Sequence, residues 1–322
     1  MQNFTVKLVP ALLSAIFFIH ACGSSGYDPN NGNNNNGGGS TIEPIAKSDS
    51  VAPDDTLEAV TWNLKWFGDT RQGPSDDRRQ TKNILQVTDS LKADLYAFEE
   101  VYDQGALDSL VKYMQGYHGF VATAYPRDQH TSFVYNTQTI DSVSSGIITE
   151  GQDEHDWASG RYPFYFSFKY HFNGTTVPIY AVAIHAKAGS GKDDYDRRKA
   201  AAQSLYTYLT NQKPDAKIIF LGDYNDDVDE SIYNGAETPY QPFVGDQNHY
   251  LVVSKSLSDS HQASETNYPS TIDHITISNE LFPFYVNGSV AVFQHAEDFI
   301  SNYGNSTSDH YPVWAKFTVP QN

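Results

Sequence analysis

The chain is poor in cysteine and in basic residues. Its 322 residues include one cysteine, Cys22, which cannot form an internal disulfide or supply a zinc site built from several cysteines. Only 21 Lys and Arg stand against 39 Asp and Glu, so the net charge is −18. A surface this acidic repels bulk polyanions, which argues against a broad surface for passive binding of nucleic acid. It does not exclude an enzyme that meets one anionic group at a time through bound cations.

The apolar stretch over residues 8–19 is too short to span a bilayer comfortably as a mature helix. Lys7 precedes it and Ala21-Cys22 follows it, which resembles the cleavage site of a bacterial lipoprotein. We therefore predict a signal peptide over residues 1–21 and a lipid on Cys22. The protein would be secreted and anchored by this lipid to a membrane at the bacterial cell envelope or cell surface. The alternatives are an ordinary signal peptide cleaved after Ala21, or a buried lone thiol at Cys22.

Residues 22–56 have little to bury. Their central run, residues 30–40, consists of Asn, Gly and Ser and cannot offset its own ordering entropy. This composition predicts a flexible Asn- and Gly-rich tether. Residues 57–320 contain no internal repeat and no second linker, and the 39% of hydrophobic residues in the chain suffices for a sizeable core. We therefore predict one domain over residues 57–320.

Hydrophobic periodicity gives a coarse assignment of elements in this domain. It predicts helices over residues 76–92, 105–115 and 195–209. It predicts strands over residues 57–64, 94–98, 120–125, 131–135, 140–149, 165–172, 177–184, 217–221, 271–278, 285–293 and 313–319. Two strand-rich halves that each carry helices predict an α/β fold, a four-layer α/β/β/α sandwich of two mixed β-sheets flanked by helices.

Seven short polar clusters lie mostly at the ends of apolar, β-branched runs, where a strand ends and its last side chain can project into a shared cleft. Their central residues are Asn63, Glu100, Arg161, His185, Asp223 with Asn225, Asp273, and Asp309 with His310. Each motif is weak alone, but their common order and spacing indicates one centre.

The residue types in these clusters suit hydrolysis of a phosphodiester. That reaction needs a cation or basic groups to stabilise developing charge, a polarised water, and a proton for the leaving group. Hard cations such as Mg²⁺ prefer oxygen ligands, which Asn63, Glu100, Asp273 and Asp309 carry. His185 and His310 can move protons near neutral pH.

Three segments carry a resemblance to a known family. They are Trp62-Asn63-Leu64-Lys65-Trp66-Phe67-Gly68-Asp69-Thr70, Gly222-Asp223-Tyr224-Asn225 and Ser308-Asp309-His310-Tyr311-Pro312-Val313. Over residues 57–319 the chain resembles the endonuclease/exonuclease/phosphatase superfamily, and most closely its deoxyribonuclease I-like members. The resemblance implies the same four-layer fold, a bound Mg²⁺ or Mn²⁺, and in-line attack of an activated water.

The resemblance also implies roles on the metal side and for the two histidines. Glu100 resembles the principal metal ligand, and Asn63 supports the metal or the phosphate. Asp309 resembles a further carboxylate on the metal side. His185 and His310 resemble the histidines that flank the scissile phosphate, one as acid and one as base, and the sequence leaves open which is which.

Five other positions carry roles that the resemblance implies for catalysis and phosphate binding. Asp223 resembles the residue that orients or deprotonates the water, and Asp273 resembles the carboxylate that orients His310. Asn225 and Arg161 resemble side chains that hold the phosphate within the catalytic centre. Lys65 matches a contact to a backbone phosphate.

Some positions depart from the deoxyribonuclease I-like pattern. Tyr102 stands where those enzymes place an arginine that enters the minor groove, and a tyrosine cannot supply that positive charge. Arg127, in the other loop expected to touch DNA, is a candidate to compensate. The carboxylate partner of the first histidine is replaced at the best alignment by Gln129, with Asp128 beside it, and without such a partner His185 would be less basic.

An acidic loop lies near a calcium site of the family. It carries Glu150, Asp153, Glu154 and Asp156. Carboxylates suit Ca²⁺, so this loop is the candidate for a structural Ca²⁺ site, with a solvated turn as the alternative.

Three functions are compatible with these patterns. The first is a surface-tethered, metal-dependent endonuclease with weak sequence preference, acting on DNA before RNA. The second is a phosphoesterase of the same superfamily that acts on a lipid or inositol-phosphate headgroup, which the tyrosine at position 102 and the acidic charge favour. The third is a surface binding module that is catalytically silent. The sequence implies no protein partner, and we expect a monomer.

Overall fold

The computed structural model of the protein describes residues 44–123, 128–172 and 174–319. The predicted signal peptide, the lipidation site Cys22, residues 22–43 of the predicted tether, and Arg127 lie outside the described residues. From Ile45 onward the chain forms one compact unit. Ile45 packs against the core beneath α1 and α2, defined below, and the Ser48 amide donates to the Tyr113 carbonyl at 2.8 Å. The folded unit therefore begins before the boundary predicted at residue 57.

The described residues form two six-stranded sheets, whose strand orders are β11-β12-β1-β2-β4-β3 and β5-β6-β7-β8-β10-β9. The strands are β1 (Thr56–Phe67), β2 (Leu95–Val101), β3 (Tyr117–Val121), β4 (His130–Asn136), β5 (Ile140–Ile147), β6 (Phe164–Phe172), β7 (Thr175–His185), β8 (Ile218–Asp223), β9 (Tyr250–Val252), β10 (Asp273–Ser278), β11 (Ala291–Val292) and β12 (Val313–Thr318).

The helices are α1 (Asp77–Leu91), α2 (Gln104–Val111), α3 (Lys192–Gln212), α4 (Gln241–Gly245), α5 (Lys255–Asp259), α6 (Ala296–Phe299) and α7 (Tyr303–Ser306), together with a 3₁₀ helix (Asn279–Phe284). The Asp76 side chain accepts from the Arg79 amide at the start of α1, and Lys92 ends this helix in the left-handed region at φ 49°. Within the described ranges, no helix is both long and apolar enough to cross a bilayer.

Three apolar cores separate the layers. The central core joins the inner faces of both sheets, with Phe133 of the first sheet and Phe166 of the second in ring contact. A second core packs α1 and α2 on the first sheet, and a third packs α3 and α4 on the second. This is the predicted four-layer α/β/β/α sandwich of two mixed sheets, and the fold prediction is confirmed.

The strand predicted over residues 285–293 is wrong for most of its length. Tyr285 makes an isolated bridge to Phe317, and Ala291–Val292 pairs with β12. Between them the chain turns at Gly288, whose φ is 76°, and the Ser289 amide donates back to the Val286 carbonyl. The apolar residues of this segment pack on the sheet edge, so a pattern of apolar residues alone did not reveal the turn. The short strand β9 was also missed.

A buried carboxyl lies at the start of β2, between the sheets. Asp94 accepts from Thr139 Oγ1 at 2.6 Å and from the Tyr170 hydroxyl at 3.0 Å, and burial raises its pKa to about 7 from 3.8. The folded state therefore holds a proton on Asp94 that the unfolded chain releases at a lower pH. The stability that this proton gives is fully present below about pH 4 and is lost as the pH rises through about 7.

We expect Asp94→Asn to flatten the pH dependence of stability. The wild-type free energy of unfolding should fall between pH 4 and pH 7 by up to on the order of 4 kcal/mol more than that of the variant, because an amide cannot ionise. Urea unfolding at several pH values measures the free energy of unfolding of the wild type and of the variant. Asp215→Asn, at an exposed turn, is the control. Equal slopes for the wild type and Asp94→Asn would contradict the assignment.

Candidate active site

Parallel strand ends bring polar residues of the second sheet together. β7 and β8 are parallel neighbours, and their last residues, His185 and Asp223, are partners in register. β10 runs antiparallel to β8 and begins opposite Asp223, at Asp273. Three predicted site residues thus lie side by side at one edge of this sheet.

The first sheet contributes residues at the same end of the sandwich. Asn63 lies near the end of β1 and Glu100 near the end of the parallel strand β2, while His310 precedes β12, which runs antiparallel to β1. Asn63 Nδ2 donates to Asp223 Oδ2 at 3.1 Å, so a hydrogen bond joins the two sheets within the site. The Trp62 indole donates to the His310 carbonyl at 2.9 Å and fixes the backbone there.

His185 occupies the centre of this arrangement. Its Nε2 lies 3.7 Å from Glu100 Oε1 and 3.6 Å from Asp223 Oδ2. Burial first, and then the positive charges of Arg161 and His310, hold the pKa of His185 well below its usual value. The neutral imidazole is therefore the favoured form, and the two contacts are not ion pairs.

No side chain among the described residues hydrogen-bonds the buried Nδ1 of His185. Gln129, the residue aligned with the carboxylate partner of this histidine, instead accepts from Arg161 Nη1 at 2.7 Å. The lack of a carboxylate on Nδ1 fits the weak basicity that the sequence predicts for this histidine.

His310 has the opposite electrostatic environment. Its Nδ1 lies 2.9 Å from Asp273 Oδ2, which also accepts from Ser264 Oγ at 2.7 Å. Burial alone would lower the pKa of His310, but the carboxylates of Asp273, Asp223 and Asp309 outweigh it and raise this pKa well above its usual value. The geometry places Asp273 where the sequence predicts the residue that orients His310.

Asp223 is held by two neighbours. Asn225 donates its backbone amide to Asp223 Oδ1 at 2.9 Å, and Asn63 binds the other oxygen. Burial raises the pKa of Asp223 to about 7, with Asp273 adding to the rise and His310 opposing it. A carboxylate with this pKa can accept a proton from water near neutral pH.

Several residues around the site have a strained backbone. Lys65, Trp66, Glu100 and Asn225 have φ angles of 50°, 55°, 58° and 52°, in the left-handed region that non-glycine residues rarely adopt. Asn63 Oδ1 accepts from the Lys65 amide at 2.9 Å, and Glu100 Oε2 accepts from the Trp66 amide at 3.1 Å. Side chains of the site therefore hold the strained, irregular end of β1.

Glu100 owes its position to this strain. Leu95 and Ala97 of β2 belong to the core between the sheets, whereas Tyr96 and Phe98 belong to the core under the helices. Strict alternation would point Glu99 to the inter-sheet side and Glu100 away from it. The positive φ of Glu100 breaks the alternation, and both glutamates meet the site.

Glu99 was not singled out from the sequence. It is fully buried, and Thr61 Oγ1 lies 3.2 Å from its Oε1. Burial, followed by the charges of Asp273 and Asp223, raises the pKa of Glu99 well above its usual value, so the neutral carboxyl is favoured. The period of two in β2 is the signal that could have found it.

The two basic residues predicted to bind phosphate already have protein partners. Arg161 donates to the His185 carbonyl at 3.1 Å and to the Ala186 carbonyl at 2.8 Å. Lys65 Nζ donates to the Gly304 carbonyl at 2.8 Å and lies 3.3 Å from Asp309 Oδ2. Both lie beside the site, and their contact with a phosphate stays a prediction.

The donor set fits a divalent cation. Among the described residues, Asp223, Asp273 and His310 form the group of potential ligands whose atoms all lie within 4.8 Å of one another. This group differs from the predicted ligands Glu100, Asn63 and Asp309. In this group, the Nδ1 of His310 is already hydrogen-bonded to Asp273. The other oxygen of Asp273, Oδ1, is buried without a hydrogen-bond partner. The oxygen-rich pocket thus suits a hard cation.

The acidic loop of Glu150, Asp153, Glu154 and Asp156 is not part of any such ligand group in the described part of the chain. Asp153 Oδ1 accepts from the His155 amide at 2.8 Å, as in a turn. A structural Ca²⁺ in this loop stays a prediction without geometric support.

The chain is similar to known proteins in sequence and in fold. A family model described as Endonuclease/Exonuclease/phosphatase family matches residues 60–310. No curated protein matches the chain. The D. rerio TDP2 structure in complex with a single strand DNA product has a TM-score of 0.61 and 15% identity, covering 83% of this chain and 100% of that one.

Two structures from Bacteroides thetaiotaomicron are also similar. An endonuclease/exonuclease/phosphatase family protein has a TM-score of 0.57 and 17% identity, covering 84% of this chain and 100% of that one. A mannosyl-6-phosphatase has a TM-score of 0.54 and 18% identity, covering 81% of this chain and 99% of that one. At these identities the likeness concerns the fold.

Proposed function

The chain belongs to the endonuclease/exonuclease/phosphatase family, and we propose that it is a metal-dependent phosphodiester hydrolase that uses in-line attack of an activated water. One observation carries this proposal. His185 Nε2 lies within 3.7 Å of a carboxylate from each sheet, Glu100 and Asp223, at the point where the sheets are joined. A convergence of this kind, at a shared strand end, is what a single reaction centre requires.

Glu100 would hold the metal, with Asn63 and Asp309 on the same side of the pocket. When bound, a divalent cation stabilises the negative charge that develops on the phosphoryl oxygens.

Different side chains of the pocket carry out the two proton transfers. Asp223 accepts a proton from the attacking water as the new bond from oxygen to phosphorus forms. The bond from phosphorus to the leaving oxygen breaks, and His310, which its carboxylate neighbours keep protonated, donates a proton to that oxygen. His185, which is neutral, hydrogen-bonds a phosphoryl oxygen. This assignment makes His310 the acid and Asp223 the base.

Nucleic acid is the first candidate substrate, with DNA before RNA. The loop after β1 supports this choice by its resemblance to deoxyribonuclease I-like enzymes, and the D. rerio TDP2 structure shows the same fold with a single strand DNA product. The proposal includes secretion and a lipid anchor at Cys22, supported by the sequence pattern of residues 1–22.

A smaller phosphoester, such as a lipid or inositol-phosphate headgroup, is the second candidate. Lys65 is paired with Asp309, and Tyr102 replaces the groove-binding arginine, so these two positions offer little positive charge to a polyanion. The similarity to a mannosyl-6-phosphatase shows that this fold also serves small phosphoesters. The complete set of carboxylates and histidines argues against a silent binding module.

A substrate panel tests the proposal. The protein used is the compact unit, residues 45–322. We expect it to nick supercoiled plasmid in Mg²⁺ or Mn²⁺, and we expect the nicking to stop when EDTA removes the metal. Release of phosphate or phosphocholine from small phosphoesters without nicking would favour the second candidate. Absence of any hydrolysis across the panel, from a folded protein, would overturn the proposed function.

A further inference from the structure

A buried ion pair lies directly behind the reaction centre. Arg198, on α3, has a fully buried side chain, and so does Asp226, which follows β8. Arg198 Nε donates to Asp226 Oδ2 at 2.8 Å, and Nη2 lies 2.7 Å from the same oxygen. Neither residue belongs to the proton transfers described above.

The same guanidinium also holds the chain that follows β7. Arg198 Nη1 donates to the Lys187 carbonyl at 2.8 Å and to the Gly189 carbonyl at 2.6 Å. Arg161 donates to the two preceding carbonyls, those of His185 and Ala186. Two arginines thus fix the backbone that leaves β7 immediately after the central histidine.

Asp226 fixes the chain that follows β8 in the same way. Its Oδ1 accepts from the Ile232 amide at 2.9 Å and from the Asp227 amide at 3.0 Å, and its Oδ2 also accepts from Ser231 Oγ at 3.0 Å. These hydrogen bonds restrict the Asp226 side chain to one position. The loop that carries Asn225 is therefore anchored one residue beyond the catalytic motif.

These contacts link the two loops that carry His185 and Asp223. The strands are joined directly up to the Ala186 amide, which donates to the Asp223 carbonyl at 2.9 Å. Beyond that bond, Asn225 Nδ2 donates to the Ala186 carbonyl at 3.3 Å, and Arg198 and Asp226 connect the two loops further along the chain. We propose that Arg198 and Asp226 form a positioning pair that sets the 3.6 Å separation of His185 Nε2 and Asp223 Oδ2. This inference rests on the proposed function for its kinetic test.

Fold stability alone is a poor reason for such a pair. Removing two charges from water costs about as much as their attraction returns, and apolar side chains of similar size often replace buried pairs without loss. The fork of an arginine can bind a carboxylate and two carbonyls at once, whereas a lysine ammonium is a single point charge. The three-way contact therefore points to geometric control of the loops.

The kinetic test compares two neighbouring arginines of α3 in the whole chain. We expect Arg198→Lys to lower kcat by about 10²-fold, the cost of misplacing catalytic groups by roughly 1 Å, with KM within about threefold of the wild type. Arg197→Lys is the matched control, because Arg197 also donates to a backbone carbonyl, that of His155, away from the strand ends. Its kcat should be unchanged.

Hydrogen exchange at the Ala186 amide tests the pair without any substrate. We expect this amide to exchange at least about tenfold faster in Arg198→Lys than in the wild type or in Arg197→Lys, because the loops open more often. Asp226→Asn should act in the same direction and serves as the second variant if Arg198→Lys does not fold.

The outcomes separate this inference from the proposed function. If the wild type hydrolyses nothing, the proposed function fails and the exchange measurement alone decides the pair. An unchanged kcat together with unchanged exchange at Ala186 would overturn the inference. So would a fall in kcat that is fully explained by a smaller folded fraction, as measured by circular dichroism.

Discussion

Replacement of His310 by alanine is expected to lower kcat by about 10²–10⁴-fold, the usual contribution of a positioned general acid. The variant loses the group that donates a proton to the leaving oxygen, and Asp273 loses its imidazole partner at 2.9 Å. Asp273 keeps the hydroxyl of Ser264, so the domain should still fold. Steady-state kinetics on the substrate found in the panel, with circular dichroism on the same sample, measures both effects.

His171→Ala is the control for this loss. His171 Nε2 lies 2.7 Å from Asp141 Oδ2, and both side chains are exposed. His171 is the register partner of Thr176 at the start of β7, so this His–Asp pair lies far from His185 at the end of that strand. Removing it should leave kcat unchanged. If the folded His310→Ala protein turned over at the wild-type rate, the assignment of the acid would be wrong.

The second large effect is expected from Glu100→Gln. The glutamine keeps the size of the side chain but lacks the negative charge with which Glu100 would hold the metal. We expect the affinity for Mn²⁺ to fall by at least about 10²-fold, since even residues that only support a metal ligand contribute 10–100-fold, and we expect turnover to be lost. Isothermal titration calorimetry measures the affinity.

The neighbouring residue provides the matched control. Burial and nearby carboxylates raise the pKa of Glu99 well above its usual value and favour its neutral form, so Glu99→Gln conserves both the size and the favoured charge of the side chain. Metal affinity and kcat should therefore change little. Loss of metal binding in Glu99→Gln with retention in Glu100→Gln would reverse the assignment of the two glutamates.

The sequence predicted the architecture well because hydrophobic periodicity reports which face of an element is buried. The strand ends of β7 and β8 were predicted within a few residues, so the proximity of His185 and Asp223 followed from the rule that parallel strands end together. The segment over residues 285–293 failed because its apolar side chains pack on an edge without pairing along their length.

Details of the site that depend on backbone strain or long-range contacts could not be predicted in this way. A positive φ at Glu100 cannot be seen in the residue pattern, and alternation alone would have selected Glu99. Arg198 lies in the second turn of α3, and a charged residue in a helix usually indicates a solvated face, yet its side chain is fully buried. Only the fold shows that the Arg198 guanidinium contacts Asp226 and two backbone carbonyls.

The pairing of β1 with β12 has a practical consequence. Thr56 and Thr318 are partners, so the first strand begins and the last strand ends at one pole of the sandwich. Asn63 is seven residues further along β1, which at about 3.3 Å per residue puts the pocket some 23 Å away, towards the opposite pole. A bead or chip that captures the protein through the end that follows β12 would therefore leave the pocket facing outward, accessible even to a substrate much larger than the protein.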